Sequence, residues 1–255
     1  MIYCVTIASI KINTTFSLCN KNKERCPCAA KSDNQMKKLI LSALAVAALQ
    51  YSSMAQTIKL FDGKTTTGWH AYLQKDAGPW SVVDGALQFD PKAPNSADLV
   101  TDGEYENYDL SVDWKIAEGG NSGIIFGVHE APALGATYLS GIEMQVLDNV
   151  KAEDNKKPSH LAGSLYDLKA APADAAKPAG QWNTARIRKD KGHLTFWLNG
   201  KETVDVQIGS PEWTEMLNNS KFKTWKDFAA YPKGRIALQS HGAVVAYKNI
   251  KLKQL

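Results

Sequence analysis

Cysteine is scarce, and absent where a folded domain would use it. All four, Cys4, Cys19, Cys26 and Cys28, fall within the first 28 of the 255 residues, so nothing after them can form a disulfide or a thiolate site. Cys26 and Cys28 lack a second ligand pair at metal spacing, which makes a zinc or redox centre the weaker reading of that cluster. Long hydrophobic runs are missing too. The most apolar stretch, 39–49, has about 11 residues, short of the roughly 20 that span a bilayer. It follows the basic pair Lys37-Lys38 and precedes small residues ending at Met54-Ala55, the pattern of a secretory signal cleaved before Gln56. No cysteine follows to carry a lipid. The expected organisation is therefore an upstream extension over 1–35, a signal peptide over 36–55 and a single domain over 56–255, exported to the periplasm or the cell exterior.

An excess of charge is the third absence. Of 30 Lys/Arg and 26 Asp/Glu, seven and two precede residue 56, leaving 23 and 24. A near-neutral surface argues against nucleic acid or an anionic membrane as partner, since both are held through basic patches that displace counterions. About 200 residues remain, enough for one domain with a sizeable core.

What is there is a series of short alternating segments. Trp80 to Phe89 holds Asp84-Gly85 between two apolar runs, a strong hairpin signal because both turn positions need positive φ. The stretch 184–208 repeats the device at Asp190 to Gly192 and at Asn199-Gly200. Further strands are expected at Tyr108 to Ile116, Ser122 to Glu130, Gly141 to Val150, Gly163 to Leu168, Gly234 to Ser240 and the C-terminus. One helical turn is expected at 211–219, opened by Pro211 and Glu212. Strands at intervals of about eight to twelve residues, with no repeat and no linker, predict an all-β fold: two antiparallel sheets in a jelly-roll sandwich, one of them concave.

Alternation places Glu143 and Gln145 on one face of their strand and Ile142, Met144 and Val146 on the other. Gln239 and His241 repeat the pattern against Ile236, Leu238 and Ser240. Two readings stand: a solvated outer face, which antiparallel sheets commonly have, or a hollow lined by planar hydrogen-bonding groups suited to a sugar. Asn121, Gly123 and Gly127 fit a face that a ligand approaches closely. Of the seven tryptophans, Trp114 and Trp197 sit inside strands and are expected in the core; Trp69, Trp80, Trp182, Trp213 and Trp225 lie at strand ends or in loops.

Several motifs occur in order: LFDGKTTTGWHAY (60–72), WSVVDGAL, YENYDLSVDWKI, GGNSGIIFGVHE, GIEMQVLDN, GSLYDL, QWNTARIRKDKGHLTFWLNGK and GRIALQSHG. Together they resemble the 3-keto-disaccharide hydrolase family of secreted Bacteroidetes proteins, over about residues 58–252. The resemblance implies a concanavalin-like β-sandwich related in shape to bacterial β-glucanases, and cleavage of glycosides whose sugar carries a ketone at carbon 3. The β-glucanase strand signature resembles E-x-D-x-x-E or E-x-D-x-E. Here it is Glu143-x-Gln145, followed by Leu147 and Asp148. A retaining glycosidase needs two carboxyl groups roughly 5 Å apart, and Leu147 offers none. Asp148 lies five residues on, about 16 Å along a regular strand, and only a bulge would bring it round.

A 3-keto sugar does not need that pair, because the ketone acidifies the C2 proton and the glycosidic oxygen can leave by β-elimination. In this reading Glu143 and His241 are catalytic, one taking the C2 proton and the other protonating the leaving oxygen. Asn121, Gln145 and Gln239 hold hydroxyls and help stabilise the enolate. Asp148, His160 and Tyr166 are further substrate-binding candidates, with His129 a secondary one. No cofactor is expected and no metal ligand set is named, although a divalent cation at Glu143, His241 or Asp148 stays open. The partner is an oligosaccharide or glycoside; oligomeric state is not legible. A non-catalytic carbohydrate-binding module and a conventional glucanase are the alternatives.

Overall fold

The computed structural model describes residues 57–255; the extension and signal expected over 1–35 and 36–55 lie outside the described residues. Three hairpins appear where turn chemistry places them. Strands β3 (Trp80–Val83) and β4 (Ala86–Phe89) meet at Asp84 and Gly85, with φ of 49° and 74°. Strand β9 (Asn183–Asp190) turns into β10 (His193–Leu198) through Lys191 and Gly192, and β10 into β11 (Lys201–Gln207) through Asn199 and Gly200, all four at positive φ. Paired positive φ values match the right-handed twist of the flanking strands.

These hairpins belong to one antiparallel sheet, in the order β11-β10-β9-β6-β13-β4-β3, where β6 is Tyr108–Ile116 and β13 is Val245–Gln254. Strand β1 (Thr57–Lys59) adds to β13. The second sheet runs β2 (Trp69–Ala71), β5 (Leu99–Thr101), β12 (Arg235–Leu238), β7 (Asn121–Val128) and β8 (Ile142–Leu147), again antiparallel throughout. The helix α1 (Pro211–Asn218) starts at Ser210, whose side chain accepts from the Trp213 N–H. Among the described residues no helix is long and apolar enough to cross a membrane.

The two sheets pack face to face. In β6 every second residue, from Tyr108 to Ile116, is buried, and Phe126 of β7 meets Phe196 of β10 edge-on at 5.8 Å between ring centroids. The larger sheet has one wet face, as antiparallel alternation predicts. Trp197 lies there, not in the core as expected: Leu194, Phe196 and Leu198 take the inward positions of β10, so alternation turns Trp197 outward, where it is half-buried with the Arg186 guanidinium 4.3 Å from its ring. The smaller sheet differs. All six residues of β8 are buried, so both of its faces are covered, by core on one side and by loops on the other.

Part of that cover is the segment expected as a strand at 163–168. It lies along the free edge of β8, where Gly163 N–H donates to Gln145 O (2.9 Å), Gln145 N–H to Ser164 O (3.0 Å) and Tyr166 N–H to Glu143 O (3.1 Å). Gly163 and Asp167, at φ of 87° and 56°, bend the chain away at both ends, so only an isolated bridge at Leu165 forms. Strands β1, β2 and β5 carry no sequence signal, because three residues are too few to display a period.

Gly234 marks the closest backbone approach in the second sheet: a Cβ there would fall 2.5 Å from the Gly127 carbonyl carbon and 2.7 Å from the Val128 nitrogen. Gly234→Ala is expected to push β12 away from β7 and destabilise the protein by about 1–3 kcal/mol, the usual cost of overpacking. Urea denaturation measures this, and an unchanged midpoint would contradict the packing described.

Candidate active site

Register across β12, β7 and β8 assembles a polar strip on the loop-covered face. Gly123 pairs with Gln145 and Ile125 with Glu143, while Gln239 N–H donates to Gly123 O at 2.9 Å. Gln239, Gly123 and Gln145 thus lie in one row, with Glu143 two residues below. Gly123 is needed there for space: a Cβ would sit 2.1 Å from Glu143 Oε1. The missing side chain lets the Glu143 carboxyl lean across the neighbouring strand.

The strip floors a cleft of about 970 Å³, lined by Asn121, Glu143, Gln145, Gln239 and His241 together with Tyr138, Asp154, Tyr166, Lys221, Phe222 and Trp225. The first five are those that alternation and strand position single out, and Tyr166 joins them as expected. The solvated-face reading does not hold, because Glu143 is 8 %, Gln145 1 % and Gln239 8 % exposed.

Burial sets the chemistry of the strip. Desolvation pushes the Glu143 pKa up to about 8; the positive charge of Lys221 opposes the rise, and Asp98 and Asp154 add to it. A carboxyl in this state carries its proton at neutral pH and can donate it. Gln145 accepts from the Val146 N–H through Oε1 at 3.1 Å, but its Nε2 is buried with no hydrogen-bond partner among the described residues. Such a donor costs about 1–3 kcal/mol unpaired, and a ligand oxygen in the cleft is a suitable acceptor.

The rim is held by one carboxylate. Asp98 Oδ1 accepts from the Ser240 N–H (2.8 Å) and the Ser240 hydroxyl (3.1 Å), and Oδ2 accepts from the Thr137 hydroxyl. Ser240 lies between Gln239 and the exposed His241, and Thr137 precedes Tyr138. The aromatic part of the lining is continuous: Tyr138 lies 6.0 Å from Trp225 between ring centroids, and Trp225 meets Phe222 edge-on at 5.1 Å.

Two expected substrate contacts are engaged elsewhere. Asp148 accepts from the Gly119 N–H (2.8 Å) and the Val150 N–H (3.1 Å) at the end of β8 and does not line the cleft. No bulge turns it inward; it caps a turn. His160 is clamped between Asp154 (2.7 Å from Nδ1) and Asp167 (2.9 Å from Nε2), with its ring 4.4 Å from that of Tyr166. It supports the lining rather than joining it. Tyr166 donates its hydroxyl to Asp154 at 2.9 Å, and burial together with that carboxylate raises its pKa, so the phenol stays neutral. His129 stacks on Tyr231 at 4.1 Å, away from the cleft. Among the described residues no group of three or more His, Cys, Asp or Glu is arranged to hold a metal.

Asp154, Tyr138 and Lys221 line the cleft although no sequence pattern marks them. Their loops show no period that defines a face, and the length of the loop after β8 is the one available signal, since long ordered loops tend to carry function.

Comparison with known proteins agrees with this architecture. Residues 56–253 match the model of the 3-keto-alpha-glucoside-1,2-lyase-like domain. A Bacteroides thetaiotaomicron protein named 3-keto-disaccharide hydrolase is 33 % identical, over 78 % of each chain. Two Parabacteroides distasonis crystal structures, each described as a candidate glycosyl hydrolase, are also similar. One has 30 % identity and a TM-score of 0.73 over 78 % of this chain and 94 % of its own. The other has 26 % identity and a TM-score of 0.63 over 78 % of this chain and all of its own. With a family match across nearly all described residues and a relative this similar over most of both lengths, the chain belongs to the 3-keto-alpha-glucoside-1,2-lyase-like family.

Proposed function

We propose that this protein is an exported hydrolase that cleaves 3-keto-glycosides by β-elimination followed by addition of water. Family membership supports a role in glycoside processing. The observation that carries the finer reading is Glu143: a buried carboxyl, its pKa raised to about 8, aimed into a cleft whose other floor groups are amides. A protonated acid of this kind suits protonation of a departing glycosidic oxygen better than nucleophilic attack. Two further carboxylates line the cleft, Glu153 and Asp154; Glu153 is exposed to solvent, and each oxygen of Asp154 already accepts a hydrogen bond, from His160 and from Tyr166. That arrangement does not favour the nucleophile-and-acid pair of a retaining glycosidase.

The steps follow from these roles. His241, exposed at the rim, takes the C2 proton, and the C–H electron pair forms the enolate of the C3 ketone. The enolate collapses to a C1=C2 enone, the C1–O bond breaks, and the leaving oxygen takes the proton of Glu143. Water then adds its oxygen to C1 and a proton to C2, which restores the ketosugar and completes a net hydrolysis. Gln145 Nε2, Gln239 and Asn121 hold sugar hydroxyls, and a pyranose ring rests against Tyr138 and Trp225, whose faces suit its C–H surface.

Incubation with a 3-keto-disaccharide and with the unoxidised disaccharide tests the reading. The expected result is release of sugar from the first alone, with turnover lowered by about 100-fold or more in Glu143→Gln and in His241→Ala, as for loss of a general acid or base. Binding of both sugars without turnover would make the protein a carbohydrate-binding module, and turnover of a plain β-glucan would make it a conventional glucanase.

The pKa of Glu143 has two pH consequences. Activity that depends on the protonated acid falls as pH rises through about 8, and this alkaline limb is absent from the residual rate of Glu143→Gln. Stability follows the same sign: a carboxyl raised above its ordinary 4.5 favours the folded state fully below that value, and the advantage is lost as pH rises through about 8. Thermal melts at pH 6 and pH 9 should therefore show wild type losing a few degrees more than Glu143→Gln.

A further inference from the structure

Two lysines line the cleft, and they differ. Lys151 is tied to Glu118 at 2.6 Å. Lys221 has no carboxylate partner among the described residues; its Nζ rests 4.3 Å from the centroid of Tyr166, 5.3 Å from that of Phe222 and 6.0 Å from that of Trp225. Aromatic faces attract an ammonium group without neutralising it. The backbone beneath it is fixed, since Lys221 N–H donates to Asp167 Oδ2 at 2.9 Å, and Asp167 is itself gripped by His160 and Lys157. Hydrogen bonds from these groups hold the Asp167 pKa below the usual carboxylate range although burial opposes this. An uncompensated cation is thus presented to the cleft on a rigid mount.

The elimination described above places a negative charge on the C3 oxygen when C2 is deprotonated. We infer that Lys221 is a catalytic residue whose ammonium group stabilises this enolate oxygen. The inference rests on the elimination reading and adds the electrophile that the reading lacks. Amide donors alone offer partial dipoles, whereas a preorganised full charge is worth more where charge develops. No proton need leave Lys221: the C2 proton goes to the base, the electron pair reaches O3 and returns to expel the leaving oxygen, and the lysine remains ammonium throughout. Its field also reaches Glu143, where it opposes the rise in pKa caused by burial and by Asp98 and Asp154.

The test compares Lys221→Met and Lys221→Gln with Lys221→Arg and with Lys223→Met, a change at the neighbouring exposed lysine. Three readouts are taken on the full chain: kcat and KM for a 3-keto-disaccharide, the pH profile, and deuterium uptake at C2 of a 3-ketosugar that has no leaving group at C1. The neutral variants are expected to lose about 100-fold in kcat and a similar factor in deuterium uptake, with KM nearly unchanged. Lys221→Arg should recover part of both, as charge is kept and geometry altered, and Lys223→Met should match wild type. The alkaline limb assigned to Glu143 should move to higher pH in Lys221→Met, because a lost positive charge disfavours the carboxylate. A packing role alone would leave deuterium uptake in folded Lys221→Gln unchanged. Wild-type activity with kcat and uptake retained in both neutral variants overturns the inference by itself. A wild-type protein that leaves every 3-keto-glycoside intact overturns the elimination reading and this inference together.

Discussion

A carboxyl group taken out of water must find a cation, collect hydrogen bonds or keep its proton. Glu143 keeps its proton, and most of the site can be understood from what imposes that choice. All six residues of β8 are buried, so its carboxylate meets solvent only through the cleft. Glycine at position 123 leaves the side chain room to lean toward the cleft. The segment 163–166 seals the edge of β8 through three backbone hydrogen bonds at Glu143 and Gln145. Lys221 tempers the effect of burial without forming an ion pair. Each feature is ordinary alone; together they define a neutral acid in a polar strip.

The same burial underlies the proposal that the strip binds a sugar. Gln145 and Gln239 are polar groups shielded from solvent, and a donor such as Gln145 Nε2 gains more from a ligand hydroxyl than an exposed amide would. Aromatic side chains continue the lining away from the strip. Planar hydrogen-bonding groups beside aromatic rings complement the two kinds of surface that a pyranose presents.

Much of this arrangement is legible in the amino-acid sequence alone, and the reasons for success and failure are physical. Hairpin turns are readable because few residues tolerate two successive positive φ values, and Asp84-Gly85 and Asn199-Gly200 are such pairs. The shared aim of Glu143 and Gln145 follows from strand alternation, though alternation does not say whether that face is wet. That depends on loops lacking periodicity, which is why Asp154 and Lys221 carry no signal and why His160 is expected at the substrate yet lies beneath Tyr166. Asp148 illustrates the limit of motif spacing: its oxygens serve the backbone of a turn, a local demand that outweighs any distant analogy. Trp197 lies on the wet face, against expectation, because Leu194, Phe196 and Leu198 fill the inward positions of its strand and the two-residue period then leaves the outward one to tryptophan.

Asp98 ties Ser240, next to His241, and Thr137, next to Tyr138, to a single side chain. Two segments far apart in the chain therefore share one mooring, and neither can swing outward without loosening the other. The imidazole of His241 and the ring of Tyr138 thus keep their places along the cleft through the same anchor, and loss of that one side chain would release both together.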